Sequence, residues 1–168
     1  MATDAELILR RPTEDDQPGI AELVEHWFAG RRVWPLVGHT WFRHFADTSL
    51  LLETADGAPI AFLLGFRSPS RPGEAVLHLV GVVPNARRRG HGRRLVETFA
   101  AEQSAAGARE VRTIAWPDDR GAIAFFRALG FAPIDDPRTQ NLYGVPALAD
   151  YEFAGEDRAV LVRPLSSR

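Results

Sequence analysis

The stretch from Val80 to Arg94 reads V-G-V-V-P-N-A-R-R-R-G-H-G-R-R. It passes from an apolar, β-branched run ending at Pro84, through a basic loop holding Gly90 and Gly92, into an amphipathic segment carrying Leu95, Val96, Phe99 and Ala100. β-Branched runs favour strands and an apolar repeat near 3.6 residues favours a helix, so the order is strand, loop, helix. Glycine lets the backbone come close to a ligand, and the free N–H groups and macrodipole of a helix start favour an anion there. The stretch reads as a pyrophosphate site.

The flanking segments supply a domain around it. Glu74 to Val83 is the strand that enters the loop, and Ser49 to Thr54 with Ala58 to Phe66, joined by A-D-G, predict an antiparallel hairpin before it. Further upstream, Leu7 to Leu9 predicts a strand. Thr13 can cap a helix over Asp15 to Phe28, where Ile20, Leu23, Val24 and Trp27 recur at helical spacing. Gly30, Pro35 and Gly38 interrupt regular structure within Ala29 to Thr40, and a second short helix is expected through Trp41, Phe42 and Phe45. Downstream, the helix after the loop reaches about Ala106 with Gly107 as its cap, and Val111 to Trp116 follows as a strand. A helix over Ala122 to Leu129 stops at Gly130, and Phe131 begins a strand. In the tail, Tyr151 to Phe153 and Ala159 to Val162 are expected to pair as a hairpin. Strands that come first as a meander and then alternate with helices predict an α/β class with a mixed, mostly antiparallel sheet flanked by helices. No repeat, low-complexity block or linker divides the chain, so a single domain over residues 1–168 is expected.

Composition bounds the function. A chain of 168 residues can bury about 70% of its unfolded surface in one core. The formal charge of -2 gives no general pull towards nucleic acid or anionic membrane, so any anion binding must be local. The absence of cysteine excludes disulfides, a thiol nucleophile and thiolate metal sites. The opening M-A-T-D-A-E lacks a basic-then-apolar signal, and no apolar run approaches the ~18 residues of a membrane span. The expected location is the cytoplasm. All 20 basic residues are arginine, which reads as a coding bias of the source genome.

The loop lacks the Lys-Ser/Thr pair of a nucleoside-triphosphate loop and the three-glycine spacing of a dinucleotide fold. What it has is Arg87-x-x-Gly90-x-Gly92 between a strand and a helix. This resembles motif A of the GNAT superfamily of acyl-CoA-dependent N-acyltransferases. The segment G-A-I-A-F-F-R-A-L-G-F, Gly121 to Phe131, looks like the same family's motif B, and R-P-T-E-D-D after the first strand is similar to its N-terminus. The order of elements matches across nearly the whole chain.

The resemblance implies a GNAT fold that binds acetyl-CoA and acetylates a primary amine, on a small molecule or a peptide, without a covalent enzyme intermediate. It implies that the backbone from Val82 and Val83 through Arg87, Arg88, Arg89, Gly90, His91, Gly92 and Arg93 holds pantetheine and pyrophosphate. The N–H of Val82 or Val83 would polarise the thioester carbonyl, as charge stabilisation at the developing oxyanion requires. Asp119 stands where the family often has Asn, and Phe126 where it often has Tyr; both positions usually lie near the cofactor's sulfur. Phe126 has no hydroxyl to protonate the departing thiolate, so solvent, Tyr143 or another group substitutes, or the protein is catalytically weak. A homodimer is common in the family.

The amine must be neutral to attack, and a base helps. His78 shares strand parity with Val80 and Val82, its ordinary pKa of ~6.5 suits a base at neutral pH, and its position resembles a strand histidine of the serotonin N-acetyltransferase branch. A hydrogen-bonded core histidine is the competing reading. Glu74, on the same parity, is the second candidate base. Trp34 and Trp41 flank the Pro- and Gly-containing loop and are the expected acceptor-pocket residues. His26, His39, His44, His78 and His91 form no recognisable ligand motif, so no metal is expected, and His91 reads as a solvated loop residue. A binding or regulatory protein that holds acyl-CoA without turning it over is the alternative. Nucleic-acid binding by Arg87, Arg88, Arg89, Arg93 and Arg94 is disfavoured because no aromatic residues interleave with them.

Overall fold

The computed structural model describes residues 7–28 and 30–166. The opening M-A-T-D-A-E and Ala29 lie outside the described residues. The described residues form two compact units, one within 7–67 and 77–103 and the other within 68–76 and 104–166.

The first unit starts with β1 (Ile8–Arg10), which pairs antiparallel with β2 (Leu50–Glu53), and β2 pairs antiparallel with β3 (Pro59–Arg67). β2 and β3 are the A-D-G hairpin expected from the turn residues. Between β1 and β2 run α1 (Gln17–Trp27), a single turn at Trp34–Val37 and α2 (His39–His44). β4 (Glu74–Val82) lies next to β3, and its residues from Leu77 onward belong to this unit. The apolar stripe of α1 is Ile20, Val24 and Trp27, all buried, with the Trp27 ring 5.7 Å from that of Phe62. α3 (His91–Ala105) buries Leu95, Val96, Phe99 and Ala100, the residues its periodicity selects. Removing each of these larger side chains from water contributes about 1.5–3 kcal/mol, which holds the helix that follows the basic loop in place.

A charged triad closes the sheet edge of this unit. Arg10 makes two hydrogen bonds of 2.8 Å to Asp16 and two to Glu53, at 2.7 and 2.9 Å. Asp16 also accepts the Thr13 N–H at 2.7 Å, which starts the chain into α1. The Arg10 guanidinium holds the Asp16 carboxyl below its ordinary value. A lowered native carboxylate contributes stability that is complete above the unfolded value, 3.8, and is lost as pH falls through the native one. Asp16→Asn is therefore expected to cost about 1 kcal/mol at neutral pH, a modest figure because the guanidinium is a third exposed, and to flatten the loss of stability below pH ~4. Urea titrations at pH 7 and pH 3 check this; an equal cost at both would exclude it.

The second unit is built on β5 (Glu110–Ala115), whose pairing with β4 is parallel over Glu74 to Val76. β9 (Ala159–Pro164) pairs antiparallel with β5 and, on its other side, with β6 (Ala132–Pro133). α4 (Arg120–Ala128) buries Ile123 and Phe126, and Gly130 ends the following turn with φ 85°. The expected tail hairpin is corrected here. Ala159–Val162 lies in β9 between β5 and β6, while Tyr151 and Phe153 are exposed in a turn. Asp150 and Gly155, both with positive φ, close that turn, and the Asp150 carboxylate accepts the Gly155 N–H at 2.6 Å. The hairpin in this region is instead β7 (Gln140–Leu142) with β8 (Val145–Ala147), joined through Tyr143 and Gly144. No helix among the described residues is long and apolar enough to cross a membrane.

Candidate active site

The donor loop leaves β4 through a clamped peptide unit. The Val83 N–H donates to the Ile60 carbonyl at 2.9 Å, and the Val82 carbonyl of the same peptide accepts from Arg87 Nε at 3.1 Å. Since backbone groups alternate along a strand, the N–H of Val82 points away from β3 while that of Val83 is bonded to it. Of the two expected oxyanion donors, Val83 is thus committed to the sheet and Val82 is the candidate. The close packing beneath requires Gly81, because a Cβ there would meet Phe62 at 2.7 Å and Phe28 at 3.1 Å.

Arg87 Nη2 donates to the carbonyl of Trp27, the last residue of α1. A cation at a helix C-terminus is favoured by the macrodipole. The motif arginine therefore ties the end of α1 to the exit of β4 through its guanidinium, a role that its expected contact with the cofactor did not include. The chain then turns through Arg88 and Gly90, with φ of 59° and 86°. Left-handed backbone is costly for most residues and ordinary for glycine. A Cβ at Gly90 would meet nothing within 4 Å, so this position is open as well as left-handed.

His91 is the first residue of α3 and half-buried, which corrects its reading as a solvated loop residue. The Gly90 carbonyl accepts the Arg94 N–H at 2.9 Å, the first bond of the helix. The N–H groups of the first turn, from His91, Gly92 and Arg93, have no intrahelical acceptor. Gly92 is buried, whereas Arg88, Arg89, Arg93 and Arg94 carry exposed side chains. An open left-handed glycine, a buried glycine and a helix start whose first N–H groups lack intrahelical acceptors together fit a phosphate.

The candidate base lies upstream on β4. Residues of even number from Glu74 to Val82 are half-buried and the alternate ones are buried, so the parity linking His78, Val80 and Val82 is present. His78 Nε2 is 2.8 Å from the Leu36 carbonyl, and the Trp41 indole stacks on the imidazole with centroids 3.9 Å apart and planes 13° apart. Trp41 also packs against Phe45 at 5.0 Å and Phe66 at 5.9 Å. One face of Trp41 is thus covered by His78 rather than turned to an acceptor. Trp34, half exposed on its single turn, has a face available.

In the second unit, Glu74 is engaged by Arg112 at 3.4 Å and Arg71 at 3.8 Å. Asp119 caps α4, accepting the Ala122 N–H at 3.0 Å. Phe126 is buried, with Phe125 and Phe131 set edge-on at 5.2 and 5.3 Å. Tyr143 is 70% exposed at the β7–β8 turn with φ 53°. Among the described residues no group of three or more His, Asp or Glu side chains is arranged to hold a metal ion. The partners missed by sequence reasoning are the main-chain carbonyls of Leu36, Trp27 and Ile60, which carry no side-chain signal.

A model of the acetyltransferase (GNAT) family matches residues 12–131. The L-2,4-diaminobutyric acid acetyltransferase of Nocardia farcinica is 30% identical over 117 residues, which are 70% of this chain and 60% of that protein. The enzyme of the same name from Chromohalobacter salexigens is 29% identical over 129 residues, 73% of this chain and 64% of that protein. The matches thus span less than two thirds of these relatives' own lengths. Among solved structures, Ard1 from Thermoplasma volcanium aligns with a TM-score of 0.76 at 19% identity, covering 95% of this chain and 98% of that one. The diaminobutyrate acetyltransferase EctA from Paenibacillus lautus, in complex with L-2,4-diaminobutyric acid and coenzyme A, aligns with a TM-score of 0.71 at 18% identity, covering 98% of each chain. At these identities the likeness establishes the shared fold.

Proposed function

Because the chain belongs to the GNAT acetyltransferase family and has its fold, a mixed, mostly antiparallel sheet with helices, we propose that it transfers acetyl from acetyl-CoA to a primary amine by direct attack. The observation that carries this reading is the exit of β4: a clamped Val82–Val83 peptide, then an open left-handed Gly90 at the start of a 15-residue helix.

The backbone from Val82 through Arg93 would hold pantetheine and pyrophosphate, with the first-turn N–H groups of α3 on the phosphates. Arg88, Arg89 and Arg93 add positive charge beside them, and Arg87 acts through the carbonyls it holds. Acetyl-CoA, as co-substrate, supplies the activated acyl carbonyl. The Val82 N–H, directed away from β3, stabilises negative charge on the carbonyl oxygen. The amine lone pair attacks the carbonyl carbon; the C–N bond forms, the C–S bond breaks, and the sulfur leaves as thiolate. His78 takes the proton that the amine gives up, and solvent protonates the thiolate.

Trp34 offers an apolar face to the acceptor. The relatives named for L-2,4-diaminobutyric acid make diamino acids the first acceptors to try. Incubation of the protein and acetyl-CoA with diamino acids, amino sugars and peptides with free N-termini is expected to release CoA thiol above the amine-free rate for one of these classes. Tight acetyl-CoA binding with no release for any amine would overturn the transferase reading. That result would favour an acyl-CoA-binding or regulatory protein, the reading that Phe126, buried and without a hydroxyl, supports.

A further inference from the structure

Arg87 opens the motif of the donor loop, yet its guanidinium is directed elsewhere. Nε donates to the Val82 carbonyl at 3.1 Å and Nη2 donates to the Trp27 carbonyl. These two nitrogens form one edge of the planar guanidinium, the edge whose parallel N–H groups grip a carboxylate or phosphate side-on. Both are taken by main-chain oxygens, one at the last residue of β4 and one at the last residue of α1. The final carbonyls of a helix have no intrahelical donor and carry the negative end of its dipole, so a cation is favoured there.

What is held at the end of α1 leads on to Trp34. The Phe28 ring lies beside Gly81, where a Cβ would stand 3.1 Å from it. From there the backbone is bonded step by step. The Gly30 N–H donates to the Glu25 carbonyl at 2.9 Å, that of Arg31 to Phe28 at 3.1 Å, that of Val33 to Arg31 at 2.8 Å and that of Leu36 to Val33 at 2.9 Å. Val33 and Val37 are buried on either side of Trp34, whose own side chain is half exposed. A run this short and this continuously bonded moves as one piece, so fixing its start restricts where Trp34 stands.

We infer that Arg87 is a positioning residue for the acceptor: it pins the end of α1 to the end of β4, and thereby holds Trp34 in place, while its side-on edge does not serve the phosphates. The acceptor part of this inference rests on the proposed transferase reading; the pin itself does not. Side-chain charge for the phosphates then comes from Arg88, Arg89 and Arg93, which are exposed.

The test compares Arg87→Lys, which keeps the charge, with Arg87→Gln, which does not. Neither replacement has a rigid fork that spans two carbonyls. Arg87 is exposed, so both variants are expected to keep the fold. Calorimetry with CoA is expected to give affinities within about threefold of wild type for both. Amide hydrogen exchange over Gly30 to Leu36 is expected to speed up on the order of tenfold in both, because the bonded N–H groups of that run lose a support. With an acceptor in hand, the KM for the amine should rise on the order of tenfold while the KM for acetyl-CoA stays within about threefold. A guanidinium placed on the phosphates predicts a different pattern: Arg87→Gln would lose about tenfold or more in CoA affinity, Arg87→Lys would keep it, and exchange over Gly30 to Leu36 would stay at the wild-type rate. A loss of CoA affinity of about tenfold or more in either variant, or unchanged exchange in both, would overturn the inference. Faster exchange with an unmoved amine KM would overturn the acceptor role of the pin. If no amine releases thiol, the transferase reading falls by itself, and exchange and calorimetry still decide the pin.

Discussion

Replacing Gly90 with valine is expected to weaken CoA binding by a hundredfold or more while shifting thermal unfolding only slightly. The residue has φ 86° and a Cβ there meets no atom within 4 Å, so the substitution acts through the backbone and not through a clash with the rest of the protein. Holding a non-glycine residue in this region costs about 1–3 kcal/mol, and β-branching makes it worse. The loop is exposed and has a cheaper course, which is to rotate out of the left-handed region. That rotation redirects the N–H groups of His91 and Gly92 at the start of α3. Charge-assisted hydrogen bonds to a phosphate are worth about 1.5–3 kcal/mol each, so losing two of them is a loss of at least a hundredfold in affinity. The buried stripe Leu95, Val96 and Phe99 keeps the helix body in place, which is why unfolding moves little. Gly90→Ala, without β-branching, should fall between valine and wild type. Calorimetry with CoA reads the series, and equal affinity across all three proteins would mean that the phosphates are held elsewhere.

The parts of this molecule that could be read from the sequence are those that local periodicity specifies. The alternation Glu74 to Val82 and the stripe Leu95, Val96, Phe99 each repeat with the period of their own backbone, and Gly107 and Gly130 mark helix ends through a conformation that glycine adopts easily. In the tail, Tyr151 and Phe153 alternate like a strand yet lie exposed in a turn. Asp150, Gly155 and Asp157 were the contrary signal, since side-chain carboxylates that accept nearby N–H groups compete with a ladder. Tyr143-Gly144 was a weak hairpin signal because tyrosine seldom takes the left-handed turn position that asparagine or glycine fills. At the site, the glycines were legible and the clamp was not. Arg87 reaches Trp27, Val83 reaches Ile60 and His78 reaches Leu36, and in each case the acceptor is a main-chain carbonyl distant in sequence. Every residue has such a carbonyl, so only the folded chain selects which one is used.

His78→Gln is expected to lower turnover on the order of a hundredfold or more at pH values below the acceptor's pKa, with acetyl-CoA affinity unchanged. Glutamine is the informative replacement, because its amide can still donate to Leu36 whereas alanine leaves a carbonyl without its donor, a loss of about 1–3 kcal/mol that would confuse folding with catalysis. What glutamine lacks is a lone pair basic enough to take the amine proton. Below the acceptor's pKa nearly all of the amine is ammonium, and the base matters most there. As pH rises the free amine forms unaided, so wild type and His78→Gln should converge. Glu74→Gln provides the contrast, because that carboxylate faces Arg112 and Arg71 and is expected to leave the pH–rate profile as it was. If Glu74→Gln flattens the profile and His78→Gln does not, the proton leaves through the carboxylate. The imidazole stacked on Trp41 is then a hydrogen-bonded packing element that holds the α1–α2 segment to the sheet of its own unit.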